Sequence, residues 1–246
     1  MATTLRGSHT ASATTGTDAT VAITVSNGDV VIASVHFNGQ TTIADNNGAT
    51  AYTEDINDYK PNTTGGHTLS IFSRRWATGE PTTLHFTGGA SGRWSIVVDV
   101  WQSPNASSIY DVAPSTSNAA NADNSSATTI NAPTITTLTA NAIHVVHGYF
   151  DDGTGGNPSG PAGYSAGGVD NDEPQGAFYK VIAAAGATGA QTVTGTTSCP
   201  RIALSYAIKD IGTSSAIKTV NGLAIASVKT VNGLAIASVK TVNGLA

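Results

Sequence analysis

The chain has 246 residues, with 11 Lys and Arg against 16 Asp and Glu for a net charge of -5; 39% of residues are hydrophobic, 11% charged and 6% aromatic. That length can bury a core without staples, and the single cysteine, Cys199, cannot form an internal disulfide. The acidic balance argues against a nucleic-acid groove, and no run approaches the ~18 consecutive apolar residues of a membrane-spanning helix.

There are 36 Thr and few charged helix formers, so the composition predicts an all-β fold. Met1 to His9 lacks the apolar stretch of a secretory signal, so either the protein is not exported by that route or its leader has been trimmed. Residues 1–18 have no apolar period and read as an arm that takes its order from whatever it touches. Ala19 to Val25 alternates, Ser26-Asn27-Gly28-Asp29 supplies a turn, and Val30 to Phe37 follows, which predicts a hairpin. Further strand runs are Thr68 to Trp76, Thr82 to Thr87, Arg93 to Trp101, Thr128 to Thr139, Ala142 to Phe150, Ala177 to Ile182, Gln191 to Thr196 and Arg201 to Lys209. Ala44 to Asn62, Ser103 to Ala127 and Asp151 to Gln175 read as long polar loops. About ten strands at this spacing predict an antiparallel β-sandwich of jelly-roll type over residues 19–210.

Residues 211–246 form an extended β tail with an eleven-residue repeat. Ile217-Lys218-Thr219-Val220-Asn221-Gly222-Leu223-Ala224-Ile225 recurs as Val228-Lys229-Thr230-Val231-Asn232-Gly233-Leu234-Ala235-Ile236, and a third copy opens with Val239-Lys240-Thr241-Val242. Each copy carries Asn-Gly, which accepts the positive φ of a type I′ turn between β-prone segments. Eleven is also the period of a right-handed helical coil, but three Asn-Gly pairs among β-branched residues favour strand and turn.

Catalytic and ligand signals are sparse. Gly163-Tyr164-Ser165-Ala166-Gly167 spells a nucleophile elbow, yet Gly and Pro surround it and no helix pattern follows to present Ser165. His144 and His147 stand three apart on a strand and so point to opposite faces, which makes them poor joint metal ligands. Asp151-Asp152-Gly153 and Asp170-Asn171-Asp172-Glu173 gather oxygen ligands that Ca²⁺ can use, but Pro174 and Gln175 break the EF-hand template, and solvated acidic loops are expected. Asp99 has no second carboxylate nearby for glycoside hydrolysis and reads as a polar group at a sheet margin. Trp76, Trp94 and Trp101 suit an aromatic core, with sugar stacking as the alternative. Asn62, Asn105 and Asn124 head glycosylation acceptors in predicted loops. No catalytic, cofactor-binding or metal-binding residue is assigned.

The stretches Asn27-Gly28-Asp29-Val30 to Val35, Leu69 to Pro81 with Ala77-Thr78-Gly79-Glu80-Pro81, and Trp94 to Trp101 resemble β-sandwich modules of phage virion and tail-associated proteins. The K-T-V-N-G-L-A cassette looks like one at the ends of phage-like structural proteins. The design is also similar to environmental extracellular fibril subunits with an extended terminal strand. The resemblance covers about half of the chain and implies no catalytic residues.

These readings lead to a structural subunit of an extracellular filament or virion that assembles head-to-tail with identical subunits by lending its C-terminal strands. The alternatives are a module that binds a surface glycan through its loops and, third, a glycan-cleaving enzyme.

Overall fold

The β-branched runs form strands, and so do several polar ones. The computed structural model describes residues 2–38, 42–60, 67–102, 105, 107–122, 127–151 and 157–210, with the short pairs 219–220, 223–224, 230–231 and 234–235. The strands of the first half are β1 (Thr4–Ala13), β2 (Asp18–Ala22), β3 (Val30–Asn38), β4 (Ala44–Asp45), β5 (Thr53–Lys60), β6 (His67–Arg75), β7 (Thr83–Thr87) and β8 (Arg93–Gln102). Those of the second are β9 (Tyr110–Val112), β10 (Ala119–Ala122), β11 (Thr129–Ala132), β12 (Thr136–Thr137), β13 (Ala142–Phe150), β14 (Ser165–Asp170), β15 (Gln175–Ile182), β16 (Gly186–Ala187), β17 (Gln191–Thr194) and β18 (Arg201–Ile208). Four two-residue strands follow in the tail: β19 (Thr219–Val220), β20 (Leu223–Ala224), β21 (Thr230–Val231) and β22 (Leu234–Ala235). No α-helix occurs among the described residues, and the sheets are antiparallel.

A five-stranded sheet runs β1-β8-β3-β6-β5, and a six-stranded sheet runs β10-β18-β13-β15-β14 with β9 also on β18. A smaller sheet, β2-β7-β4, covers one face of the five-stranded sheet through Val21, Leu84, Phe86, Val35, Phe37, Trp94 and Ile96. The pair β11-β17 covers the far face of the six-stranded sheet through Ile130, Val193, Val146, Phe150 and Phe178. The two large sheets pack on each other through Val30, Ile32, Leu69, Ile71, Trp101, Val145, Leu204, Tyr206 and Ile208. A strand buried on both faces explains why β3, β8, β13 and β18 read as near-continuous apolar runs.

The two halves follow one strand plan. In chain order β1, β3, β5, β6 and β8 correspond to β10, β13, β14, β15 and β18, and the covering pair β2-β7 corresponds to β11-β17. Registers agree as well: Phe37 faces Trp94 across β3 and β8, as Phe150 faces Arg201 across β13 and β18. Ala77-Thr78-Gly79 and Ala187-Thr188-Gly189 precede equivalent strands, each with its glycine in the left-handed region at φ 94° and 70°. The halves also meet beside the start of β1 and the end of β18, because the Thr3 amide donates to Asp210 Oδ1 at 2.7 Å.

Several expectations need correction. The turn at 26–29 exists, with the Asp29 amide on the Ser26 carbonyl at 3.0 Å, but the hairpin does not. β2 pairs with β7, while β3 pairs with β6 and β8. The turn therefore carries the chain from one layer to the next, so that Ala19 and Val21 face the buried side of β3. Residues 4–13 form β1 along the edge of β8, so hydrogen-bonded pairing orders what lacks an apolar period. The three predicted loops contain strands: β4 and β5 in the first, β9 and β10 in the second, and β14 in the third.

Candidate functional site

Alternation along β3 sends Val31, Ala33, Val35 and Phe37 into the outer core and Ser34, His36 and Asn38 toward the other half. The same alternation sends His147, Tyr149 and then Asp151 inward from β13, and β6, β8 and β15 add His67, Arg93 and Gln175. One end of the interface between the large sheets is therefore a polar seam, while the other end is apolar.

Two contacts lie where equivalent positions of the halves meet. The His36 ring stacks on Tyr149, with centroids 3.2 Å apart and planes at 15°. Asn38 Nδ2 approaches both carboxylate oxygens of Asp151 at 3.4 Å. With Phe37 matched to Phe150, His36 corresponds to Tyr149 and Asn38 to Asp151, so each pair joins one position to its own counterpart. That is the signature of a self-complementary interface about a two-fold axis, here between two halves of one chain.

Around that axis His36 Nε2 lies 3.2 Å from His67 Nδ1, and His67 Nε2 lies 3.4 Å from Asp151 Oδ2. A proton on each Nε2 satisfies both contacts and leaves His36 Nδ1 as a buried acceptor without a partner among the described residues. Arg93 places Nε and Nη2 on Glu173 Oε1 at 2.7 and 2.6 Å, and Nη1 within 3.5 Å of Asp151 Oδ1. Gln175 Nε2 donates to Ser34 Oγ at 2.6 Å, and Ser95 donates to Asp170 Oδ2 at 2.8 Å. Asp170 Oδ1 accepts the amides of Asp172 and Glu173, which closes the turn that delivers Glu173. Burial pushes the Glu173 and Asp170 carboxyls up, opposed by Arg93 and Ser95 respectively. Burial holds His36 well below the usual histidine range, with further lowering by His67 and Arg93. The seam thus sets His36, held neutral by burial, and its neighbour His67 beside an ion network, closed by Arg93, whose side chain is 25% exposed at the rim.

A second polar point lies on β8. Asp99 accepts Ser8 Oγ at 2.6 Å from β1 and the Gly168 amide at 3.0 Å from β14, while among the described residues Oδ2 has no partner. Burial pushes its carboxyl up to about 6. The β14 bulge at Gly167-Gly168 permits this approach, because a Cβ on Gly167 would lie 2.7 Å from Asp99 Oδ2. Asp99 therefore stands between the two halves, not at a sheet margin.

Among the other sequence candidates, Ser165 is exposed at the start of β14 and pairs through its backbone with Tyr179. Among the described residues no histidine or carboxylate touches its hydroxyl; the neighbouring Tyr164 hydroxyl takes His144 Nδ1 at 2.6 Å. His147 instead meets Tyr206 at 3.2 Å on the opposite face of β13. Asp170 and Glu173 are buried partners of Ser95 and Arg93, so they are not a solvated loop, because the chain folds them inward against β8. Trp94 and Trp101 are buried in separate cores and Trp76 is partly buried. Asn105 accepts from the Ser107 amide and hydroxyl. Asn62, Asn124, Asp152 and Gly153 lie outside the described residues, as do Ile217, Lys218, Asn221, Gly222, Ile225, Val228, Lys229, Asn232, Gly233, Ile236, Val239, Lys240 and Val242.

His36, His67, Arg93 and Tyr149 carry no site signal in the sequence analysis, and Glu173 and Gln175 enter it only as members of an acidic loop. A polar residue on the partner-facing parity of an otherwise apolar strand, as at Ser34 and His36, was the available signal. Comparison with protein-family models, with curated proteins and with solved structures finds no match.

Proposed function

We propose that this chain is a structural subunit of an extracellular filament or virion appendage, built from jelly-roll units and joined to identical subunits by its C-terminal strands. The observation that carries the reading is the tail repeat. Val220 pairs with Leu223 and Thr219 with Ala224; eleven residues on, Val231 pairs with Leu234 and Thr230 with Ala235. Each pairing flanks an Asn-Gly dipeptide. An identical repeated strand has weakly specified register in its own chain, so a matching sheet edge in a neighbour can take it. The order β1-β8-β3-β6 facing β2-β7-β4, repeated as β10-β18-β13-β15 facing β11-β17, supports the jelly-roll reading. The interior polar groups support a structural role, since the seam is closed upon itself and fixes how the halves register.

Deleting Ser215 to Ala246 tests this. The expected result is a soluble, folded β protein that forms no fibres under negative stain, whereas the full chain does. Normal fibres from the truncated protein would overturn the reading, as would a full-length chain that stays monomeric and is retained on a glycan array.

A further inference from the structure

We infer that the edge strand β5 of a neighbouring copy is the acceptor for the tail, an inference that rests on the tail's role as the assembly element. Five strands bound the two large sheets: β1 and β5 on one, and β14, β10 and β9 on the other, where the one carboxylate of β9, Asp111, is held by the Leu138 amide and the Thr139 hydroxyl. Among the described residues no strand pairs along their outer sides, and charge separates them. β5, with sequence TEDINDYK, carries Glu54, Asp55 and Asp58 against Lys60. β1 has Arg6 and no carboxylate, β10 has no charged residue, and the one carboxylate of β14, Asp170, is buried on Ser95.

The tail has the opposite sign. Lys218, Lys229 and Lys240 are its only charged residues, giving +3, so the remaining 8 basic groups (11 less 3) face all 16 acidic ones, or -8, in the rest of the chain. A cationic strand therefore meets attraction at β5 and none at β1 or β10, and sign complementarity of this kind selects a partner edge and speeds encounter.

The geometry of β5 suits strand addition. Ile56 packs into the core between the large sheets, so the strand is anchored from its inner face. Its ladder to β6 is continuous from Ile56 to Lys60, past the irregularity between Glu54 and Ile56. Among the described residues no strand pairs with its outer side. Glu54 is exposed, while Asp55 is tied to the Tyr110 hydroxyl at 2.6 Å and belongs to the fold of this copy. The nine residues Leu223 to Val231 span about 30 Å when extended, longer than the eight of β5, so one repeat covers the whole edge.

The competing role for these carboxylates is to guard the edge against unwanted pairing, and the two roles predict opposite signs. The test is the full-length E54K/D58K variant, with Asp55 left intact and folding checked by circular dichroism and melting temperature. Light scattering at low ionic strength should show assembly slowed roughly tenfold, with the difference shrinking as salt is added. Adding K218E, K229E and K240E to the same chain should restore the rate. Independently, D58C with K229C should give a disulfide between subunits, since the native Cys199 is buried. Assembly of E54K/D58K at or above the parent rate, without the cross-link, would overturn the acceptor assignment. If deletion of the tail still abolished fibres in that case, the tail's role would stand and the acceptor would lie elsewhere.

Discussion

Replacing Arg93 by Met should unlock the seam between the two halves, and its size follows from what Arg93 holds. Its guanidinium is the hydrogen-bond partner of Glu173 Oε1, and Glu173 Oε2 is already unpartnered with the side chain 2% exposed. Removing one member of a buried ion pair costs about 3 to 5 kcal/mol. Water at the 25% exposed Arg93 relieves part of this, leaving about 2 to 3 kcal/mol, or roughly 4 to 12 °C in melting temperature for a chain of this size. The pH dependence makes the test specific. The Glu173 carboxyl is already raised above its ordinary 4.5 by burial, and losing Arg93 raises it further. A carboxyl with a raised folded pKa binds its proton more tightly when folded, so stability falls as pH rises through that value and recovers as pH falls toward 4.5. The deficit of R93M should therefore be largest at mildly alkaline pH and shrink on acidification, and E173Q placed in the same chain should recover most of it. Urea denaturation at both pH values reads the outcome. An equal deficit at both, or an R93M/E173Q chain no more stable than R93M, would refute the reasoning.

Asp99, held at about 6 when folded against an ordinary 3.8, lowers stability as pH rises between those values; D99N should flatten that limb by about 3 kcal/mol in urea midpoints converted to free energy. His147 is neutral in the fold, with its pKa pushed down to about 3 by burial, so its contribution is present above 6.5 and lost as pH falls from there toward 3; H147Q should lose less stability over that window than the parent. Gly167→Ala should cost about 1 to 3 kcal/mol by thermal melting, because its Cβ meets Asp99, and G167A/D99G should be less sensitive to the added methyl. Ser165→Ala should change stability by less than about 0.5 kcal/mol and leave assembly unaltered; labelling of native Ser165 by a serine-hydrolase probe would contradict it.

The strands legible in the sequence are those with two buried faces and those, such as β2 and β7, whose residues alternate between buried and open positions. Val30 to Phe37, Arg93 to Trp101, Ala142 to Phe150 and Arg201 to Lys209 announce themselves because both parities must be apolar or closely packed. β1, β10 and β14 are edge strands built largely from Thr, Ser, Asn, Gly and Ala and β5 is a charged one, and what orders all four is a ladder to a partner strand, as Ser8 opposite Asp99 shows. The turn at Gly28 was readable from its residues, but turn chemistry fixes only a change of direction and not which strands pair afterwards. The matched strand plan was hidden because equivalent positions keep shape rather than identity: Phe72 and Phe178 agree, while His36 answers to Tyr149 and His67 to Glu173. The seam was hidden for the same reason, since its members span residues 34 to 175 and no local spacing links them.

The contacts on the internal axis have a consequence for fidelity. Two identical first halves brought face to face would set His36 on His36 and leave His67 without Asp151; two second halves would set Asp151 against Asp151 and strand Glu173 without Arg93. Each half is therefore a poor match for a copy of itself and a good match for the other. This asymmetry disfavours pairing of like halves, so a first half finds its match only in a second half, and the one tethered to it in the same chain is always the nearest.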